Sequence, residues 1–528
     1  MIQYKSANQI SIEEFKTPFE MNLDKANRWV KLSYIIPWDE LAKIYYRNMS
    51  KTMGAPTIDA RIVIGALIIK HKLGVDDREA IETIRENPYI QYFLGLSQYS
   101  YEEVFDRSLF TTLRYRLGVE KFDAMSCEII KRAEKNKSDK KSKTTAKVDN
   151  PADTDKKQNG TDNKQEEIQK NKGKLLLDAT VADQMIAYPT DLGLVNACRE
   201  ESERLIDLVC EAIQVDKKPR TYRRKARKQY LRIAKKKNKS KKELHKAIGQ
   251  QLRYLRRNIQ SINKLLDKSE EAKHSFPLEH REQKIFWVIQ HIYEQQMQMY
   301  KNKKHSIEYR IVNIYQPYVR PILRGKDKAR VEFGAKIGLS LKDGFARINT
   351  LSWDAYNEGT DLQEQVEHYK TLHGFYPEVV ITDQIYGTRE NRLWLKERNI
   401  RFSGKPLGRP SKEMLSPYQK RKQKMEQRQR NQIEGKFGQG KNAYDLNRVR
   451  TRTAKTSESW IACIMFMMNL IKFNQVFLFS FIKTMTNRLK DMISYPSAET
   501  NMRLKYDRGD FLSQNSGFHL FSCNKYAV

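Results

Sequence analysis

The chain has 528 residues, which is more than one ordinary hydrophobic core supports, so two or more folding units are expected. Its 98 Lys and Arg side chains outnumber 64 Asp and Glu, and the resulting net charge of +34 indicates a polyanionic partner, with nucleic acid as the default. The alternative is a soluble protein whose basic faces are simply solvated. The five cysteines form no CxxC pair, which argues against a zinc module.

Residues 40–135 read as short helices. Apolar side chains recur at steps of three and four residues from Ile58 to Leu73, and Gly74 is a typical helix stop. Asp76 and Ser100 each precede an acid by three residues, which predicts the starts of two further helices, the second ending near Gly118. A helical domain over 1–137 suits a helix-turn-helix-like DNA-binding bundle, or equally a bundle without DNA contact.

Residues 138–173 are almost free of apolar side chains and predict a disordered polar linker. The run Leu175–Leu177 that follows predicts a short buried strand ended by Asp178. From about 199 to 300 the pattern is helical and basic. Its centre, residues 216–257, carries 19 Lys and Arg against two acids, a density that favours phosphate contact over a merely solvated face.

Alternating strands and helices return after residue 310 and indicate an α/β core. Asp343-Gly344 joins two apolar runs and predicts a hairpin. The remaining predicted elements are strands at 379–383 and 400–403 and helices at 362–372, 389–398, 412–440 and 457–473. The apolar stretch 461–482 contains polar residues and reads as a buried helix with an apolar continuation, and no membrane role is expected. The predicted catalytic domain spans 174–475, and 476–528 is a C-terminal extension of unknown role.

Two predicted core strands end in carboxylates, Asp178 and Asp383. Functional groups gather at such strand ends in α/β sheets, and hard oxygen ligands without a His or Cys cluster suit Mg²⁺ or Mn²⁺. Two such ions would clamp the attacking and leaving oxygens of a phosphodiester. The alternative for each aspartate is a turn residue or a helix cap.

A third acid lies on the predicted helix 412–440. Arg430 and Glu434 are four residues apart and share one face, and Lys441 returns to that face two turns later. This spacing would aim one acid at a metal ion and two cations at phosphate oxygens. The alternative is a surface ion pair.

The pattern R-x3-E-x6-K formed by Arg430, Glu434 and Lys441 resembles the signature of bacterial insertion-sequence DDE transposases, in the group containing insertion sequences four and five. That signature usually has Tyr three positions before the Arg, where this chain has Gln427. Further similar segments are Asp59–Leu96, Leu177–Thr180, Phe333–Lys336 and Thr382–Gly387.

The resemblance implies an RNase H-like catalytic core with a mixed five-stranded sheet, flanking helices and a helical insertion, preceded by the all-α N-terminal domain. Asp178 would contact two Mg²⁺ or Mn²⁺ ions, with Asp383 and Glu434 on one each. Water would cut the element's end, and the freed 3′-hydroxyl would attack target DNA. Arg430 and Lys441 would bind phosphate, and Tyr386 would contact DNA near the cut or serve as a core residue.

The implied partners are the element's terminal inverted repeats and target DNA, both double-stranded, bound by a homodimer in the bacterial cytoplasm at the nucleoid. In the basic insertion we expect DNA contacts from Arg223, Arg224, Lys225, Lys235 and Lys236. Three rivals remain. They are another RNase H-like nuclease without strand transfer, an inactivated DNA-binding relative, and an RNA-associated basic protein, which leaves the carboxylates unexplained.

Overall fold

The computed structural model describes residues 12, 14–16, 22–50, 52–145, 171–272, 275–323, 331–404, 407–408 and 416–493, with side chains omitted from Ser138 to Thr145, at Gln423 and after Phe477. Residues 1–477 form one unit, and Leu478–Val528 form a second. The predicted extension 476–528 therefore lies largely outside the described residues.

The described residues of the N-terminal region form seven helices. They are α1 (Arg28–Ile35), α2 (Trp38–Tyr46), α3 (Ala60–Leu73), α4 (Asp77–Glu86), α5 (Pro88–Leu94), α6 (Leu109–Leu117) and α7 (Val119–Thr145). The predicted stop at Gly74 and start at Asp76 are confirmed, because Gly74 has a φ of 70° and the Asp76 carboxylate caps α4.

The helix start predicted at Ser100 is wrong, since α6 begins at Leu109. The Gln91 side chain accepts from the backbone N–H of Ser100 and donates to its carbonyl, which fixes this segment as a turn. The predicted linker is also partly wrong. Residues 138–145 continue α7, residues 171–173 lead into the sheet, and 146–170 lie outside the described residues.

The sheet contains six strands. They are β1 (Lys174–Asp183), β2 (Arg320–Leu323), β3 (Val331–Lys342), β4 (Phe345–Ser352), β5 (Val379–Ile381) and β6 (Arg401–Phe402). Their order is β2–β3–β1–β5–β6, with β4 also on β3. The sheet is mixed, as expected, because β1, β5 and β6 are parallel while β3 is antiparallel to β1.

The expected count of five strands is corrected to six. The long β3 pairs with β2 through its first residues, Val331–Gly334, and with β4 through Lys336–Lys342. β2 and β4 thus follow one another along the same edge of β3. The predicted hairpin between β3 and β4 is confirmed, and Asp343 and Gly344 both have the positive φ of a tight turn.

β1 is longer than the sequence predicted, so Asp178 lies within the strand and not at its end. β3 pairs with it from Leu176 to Asp183. This pairing brings Gly334 so close to β1 that a β-carbon there would lie 1.9 Å from the Ala182 carbonyl oxygen. Only glycine fits at this crossing.

We expect Gly334→Ala to lower the free energy of unfolding by about 1–3 kcal/mol, because the added methyl group must push two paired strands apart. Urea unfolding measures the change. As a control, Gly438→Ala adds a methyl group in open space on a helix and should raise the free energy of unfolding by about 0.5–1 kcal/mol. An unchanged midpoint for Gly334→Ala would show that the strands are not in this contact.

The two faces of the sheet bury different helices. On one face, Leu176, Ile337 and Ile381 join a large core with the N-terminal helices and with α15 (Ala454–Ile493). On the other face, Leu175, Leu177 and Val380 pack with α12 (Leu362–His373) and α13 (Arg389–Glu397). The N-terminal helices and one face of the sheet therefore share a single hydrophobic core.

The stretch between β1 and β2 forms four helices, α8 (Asp191–Ala212), α9 (Arg223–Ala234), α10 (Lys241–Glu271) and α11 (His280–Asn302). They begin earlier than position 199 because the Thr190 hydroxyl caps α8. The helices have a hydrophobic core of their own, built from residues such as Val195, Leu252 and Ile289. We call these four helices the insertion.

A buried polar network joins the helices of the insertion. The Arg199 guanidinium, 1% exposed, donates to Glu203 Oε1 at 2.5 Å, to Gln251 Oε1 at 3.1 Å and to Asn196 Oδ1 at 2.8 Å. Gln251 in turn donates to the Ala226 carbonyl of α9 at 3.0 Å. One arginine thus links α8 to α10, and through Gln251 to α9.

One helical segment, Ala454–Phe477, is long and apolar enough to cross a membrane by composition. Its side chains from Trp460 to Phe473 are mostly buried in the core shared by the sheet and the N-terminal helices. The Asn469 amide donates to the Ala346 carbonyl at 2.6 Å and accepts from the Ala346 N–H at 2.8 Å, which binds this helix to β4. The segment is therefore a core helix of the fold, as the sequence predicted.

Candidate active site at the carboxyl end of β5

The parallel pairing of β1 and β5 places Asp178 and Asp383 side by side. The last paired residues are Leu176 and Ile381, and each aspartate lies two residues further along its strand. Side chains two positions apart on a strand point to the same face, and neighbouring strands lie about 4.8 Å apart. The two carboxylates therefore open onto one face of the sheet, where β5 has ended.

Local hydrogen bonds orient both aspartates. Asp383 caps the short 3₁₀ helix Gln384–Tyr386, and its Oδ1 accepts from the Gln384 N–H at 2.7 Å. Asp178 Oδ1 accepts from the Ala179 N–H at 2.8 Å. Asp383 thus has the capping role that the sequence left open as an alternative, while its second oxygen, Oδ2, faces Arg430.

Asp178 is the most perturbed acid of the site. Burial, together with the nearby negative charges of Glu358 and Asp383, raises its pKa to about 6, although Arg430 acts in the opposite direction. Burial is the largest of these causes, because it disfavours the charged form of the carboxyl group. Such a site gains from a bound cation.

Glu434 reaches this place on α14 (Pro417–Ala443), which packs against β1 and β5 through Ile433 and Phe437. Arg430, one turn earlier, connects the acids. Its Nη2 lies 2.9 Å from Glu434 Oε1, and its Nη1 lies 3.5 Å from Asp383 Oδ2. The structure therefore brings Asp383 and Glu434 to the same guanidinium, next to Asp178.

The site is open to solvent on one side, because the side chains of Asp383 and Glu434 are 59% and 53% exposed. A phosphate group could approach from that side. Asp178, within β1, is less exposed than either of these acids.

Three carboxylates are hard oxygen ligands and suit Mg²⁺ or Mn²⁺ in kind. Within the described part of the chain, however, no three His, Cys, Asp or Glu side chains are grouped closely enough to hold a metal ion. The positively charged Arg430 guanidinium lies between Asp383 and Glu434, where a metal ion would otherwise bind. A divalent ion would have to compete with Arg430 for these two carboxylates.

Lys441 lies away from the three acids. Its Nζ is 3.6 Å from Asp183 Oδ2 at the end of β1 and 3.6 Å from Glu332 Oε1 on β3. The two predicted phosphate contacts of α14 are therefore separated: Arg430 lies at the carboxylates, and Lys441 at the far end of β1. Their spacing of 11 residues corresponds to about 16 Å along the helix axis.

The predicted DNA contact of Tyr386 is corrected, because its side chain is fully buried and its hydroxyl has no hydrogen-bond partner within the described structure. Burial, with Glu358 and Asp178 nearby, raises the pKa of this tyrosine. Tyr386 is a core residue beneath the site, the alternative that the sequence left open. It packs with Leu175 and Leu177 of β1.

Sequence reasoning missed Glu358 and Lys336. Glu358 begins a 3₁₀ helix before α12, and its carboxylate lies 2.9 Å from Lys336 Nζ on β3. Its negative charge raises the pKa of Asp178 more than that of Asp383 does. A polar loop, Asn357–Asp361, carried no periodic signal that could have identified it.

The predicted DNA-binding residues of the insertion are exposed and lie on or directly after α9. Two of them have acidic partners. Arg223 forms a two-pronged pair with Asp207 at 3.0 Å, and Lys236 lies 2.7 Å from Glu243. The others are exposed and form no ion pair with a described side chain: Arg224, Lys225 and Lys235.

Two family models match the chain. A transposase DDE domain matches residues 380–471, a range that includes Asp383, Arg430, Glu434 and Lys441. A transposase domain, DUF772, matches residues 18–116, the range of α1 to α6. Asp178 lies between the two matched ranges.

A curated relative, the uncharacterized protein ORF8 in the nfe locus of Rhizobium meliloti, is 31% identical over 107 residues. The match covers 20% of this chain and 50% of the relative, so the chain spans about half the length of that protein. No solved structure matches the chain.

Proposed function

This chain belongs to the insertion-sequence DDE transposases by its two family matches, and on that premise we propose that it cleaves DNA at the ends of an insertion sequence and joins those ends to target DNA. The observation that carries the proposal is the meeting of Asp178 and Asp383 on neighbouring parallel strands, with Arg430 connecting Asp383 to Glu434.

The proposed fold of the catalytic part is RNase H-like. Without the short β2, the strand order is β4–β3–β1–β5–β6, with only β3 antiparallel to β1. The first acid is then on the first strand, the second follows the fourth strand, and the third is on a later helix, as the resemblance implies. The four-helix insertion between β1 and β2 is compatible with this arrangement.

In the proposed reaction, Asp178, Asp383 and Glu434 would hold two Mg²⁺ or Mn²⁺ ions, which supply an activated water and stabilise the leaving oxygen of the phosphodiester. Arg430, released from its two carboxylates, would donate to a phosphate oxygen and position the strand. Lys441 would contact phosphate further along the DNA, beyond Asp183. After cleavage, the 3′-hydroxyl would take the place of water and attack the target strand.

We further propose that the N-terminal helices read the terminal inverted repeats and that the exposed cations of α9 grip DNA. The protein would act as a homodimer on two DNA ends in the bacterial cytoplasm, at the nucleoid. The basic charge of +34 supports a DNA partner.

Strand transfer tests the proposal against its rivals. The full chain would be incubated with Mg²⁺ or Mn²⁺, a plasmid target and pre-cut duplexes that carry the ends of the DNA flanking its coding region. Joined products support a transposase. Cleavage of uncut ends without joining supports an RNase H-like nuclease, and neither product, with DNA binding retained, supports an inactivated relative.

We expect Glu358→Gln to raise the Mg²⁺ concentration needed for half-maximal cleavage about tenfold, because the change removes a negative charge beside Asp178 and leaves Lys336 without its acid partner. A Mg²⁺ titration of cleavage measures the effect. The matched control is Glu364→Gln on α12, an acid 68% exposed that pairs only with His368 among described side chains. An unchanged Mg²⁺ requirement in Glu358→Gln would remove Glu358 from the site.

A further inference from the structure

A groove lies where the insertion meets the end of β1. Its volume is about 590 Å³. It is lined by Met185–Ala187, by Arg281, Lys284 and Ile285 of α11, by residues 313–317, and by Arg452 and Thr453. We call this cavity the basic groove.

The charge of the basic groove is of one sign. Arg281, Lys284 and Arg452 are exposed, none of the three has an ion pair within the described structure, and no acidic residue lines the cavity. Glu201, which contacts the lining residue Tyr315, is held by Arg204 at 2.6 Å and accepts from the Tyr315 hydroxyl at 3.0 Å. Three unpaired cations in a concave site attract an anion with several charges.

Uncharged groups of the basic groove also suit a nucleic acid. Tyr315 is 55% exposed and Met185 is 56% exposed, so both offer flat or flexible apolar surface to a sugar. Gln316 is only 8% exposed, and its Oε1 has no hydrogen-bond partner within the described residues. Because this oxygen accepts hydrogen bonds, ordered water and not a phosphate oxygen would complete it.

The basic groove continues into a second cavity of about 360 Å³, since Arg452 and Thr453 line both. The second cavity adds Arg114 and Arg450, whose charges are already shared with Asp77 and Asp445. It also adds the Trp460 indole, whose Nε1–H has no partner in the described structure. Asp76 and Asp77 also line the second cavity, so its charge is mixed, and Arg452 is the group that continues the unpaired positive charge of the basic groove into it.

The position of the basic groove relates it to the carboxylate site. β1 carries Asp178 and ends at Asp183, two residues before Met185 of the basic groove. The seven residue steps from Asp178 to Met185 measure about 23 Å when extended, which is the rise of about seven base pairs of duplex DNA. Lys441 lies at the same end of β1, between the two sites.

We propose that the basic groove binds the sugar-phosphate backbone of double-stranded DNA, in the segment about seven base pairs from the phosphate that lies at the carboxylates. The proposal rests on the proposed function for its choice of DNA as the polyanion. The contacts are made through the charges of Arg281, Lys284 and Arg452, so they are independent of base sequence.

The test compares two double variants on one helix. Arg281→Gln/Lys284→Gln removes two charges from the basic groove. Lys301→Gln/Lys304→Gln removes two exposed charges near the opposite end of α11, about 30 Å away. Binding of the full-length proteins to a fluorescently labelled random-sequence DNA duplex would be measured over a range of NaCl concentrations.

We expect the groove variant to bind the duplex roughly tenfold more weakly near physiological salt, and the slope of log K against log salt to fall by about two. The control variant should match the unmodified protein in both, and thermal unfolding should be the same for all three. Equal losses in the groove and control variants would overturn the proposal, because they would reflect net charge alone.

A second arm uses duplex RNA of the same sequence. A loss confined to RNA would overturn the choice of DNA. None of these measurements needs catalysis, so the basic groove and the proposed reaction can fail separately: loss of binding in the groove variant would stand even if substitution of Asp178 left cleavage unchanged.

Discussion

Asp178→Asn is expected to lower the rate of strand cleavage and strand transfer by about three orders of magnitude or more, because asparagine keeps the shape of the side chain but removes the charge at the centre of the site. Asp178 is the acid on which the other charges converge, with Glu358, Asp383 and Arg430 all close enough to affect its pKa. Single-turnover assays with labelled DNA ends and saturating Mg²⁺ measure the change.

Stability separates this catalytic effect from misfolding. In the absence of metal ions, Asp178→Asn removes a buried negative charge, so its thermal midpoint should equal or exceed that of the unmodified protein. The matched control is Asp183→Asn on the same strand, which faces Lys441 at 3.6 Å and lies five residues from Asp178. It should retain most of the activity. Full activity in Asp178→Asn would end the proposal of a carboxylate site there.

Arg199→Met is expected to destabilise the insertion by about 3–5 kcal/mol, because it leaves a buried carboxylate and two buried amides without their shared partner. Arg199 is 1% exposed, and Glu203 is 8% exposed. Urea unfolding followed by fluorescence would report the change, since Trp287 is part of the insertion. The control, Lys236→Met in the insertion, breaks an exposed pair with Glu243 and should cost less than about 1 kcal/mol.

The loss should depend on pH. Burial already raises the pKa of Glu203 despite the Arg199 charge, and removing that charge should raise it further. A carboxyl group whose folded-state pKa is raised destabilises the fold at pH values above that pKa, where it is ionised. The stability deficit of Arg199→Met should therefore shrink as the pH falls through the folded-state pKa of Glu203. Arg199→Met/Glu203→Gln should recover part of the lost stability at neutral pH. A deficit independent of pH would show that lost packing, not charge, is the cause.

Local features of the structure could be predicted from local sequence. Asp343-Gly344 predicted the hairpin because both residues readily adopt positive φ, and Gly74 and Asp76 predicted helix ends because their roles depend on the adjacent backbone alone. The three acids were identified with the help of the resemblance, and the pairing of β1 with β5 explains why two of them meet.

Features that depend on distant partners could not be predicted in this way. The length of β1 is set by pairing with β3, more than 150 residues later, so Asp178 was placed at a strand end. The Ser100 turn depends on the side chain of Gln91. Glu358 raises the pKa of Asp178 from a polar loop whose sequence has no periodicity. The apolar pattern of the N-terminal helices predicts that one face of each is buried, but it does not predict that the sheet is the partner of that face.

The shared core of the sheet and the N-terminal helices has a consequence for biosynthesis. Ribosomes add about 5–20 residues per second, so the N-terminal helices emerge some tens of seconds before α15, which completes their packing. Until α15 is synthesised, the apolar faces of the N-terminal helices that pack against Phe466 and Met467 are exposed to solvent. The nascent protein is then vulnerable to aggregation and to chaperone capture. A product terminated before α15 should accumulate as insoluble or degraded material. A truncated chain should therefore bind DNA only if translation has continued through α15.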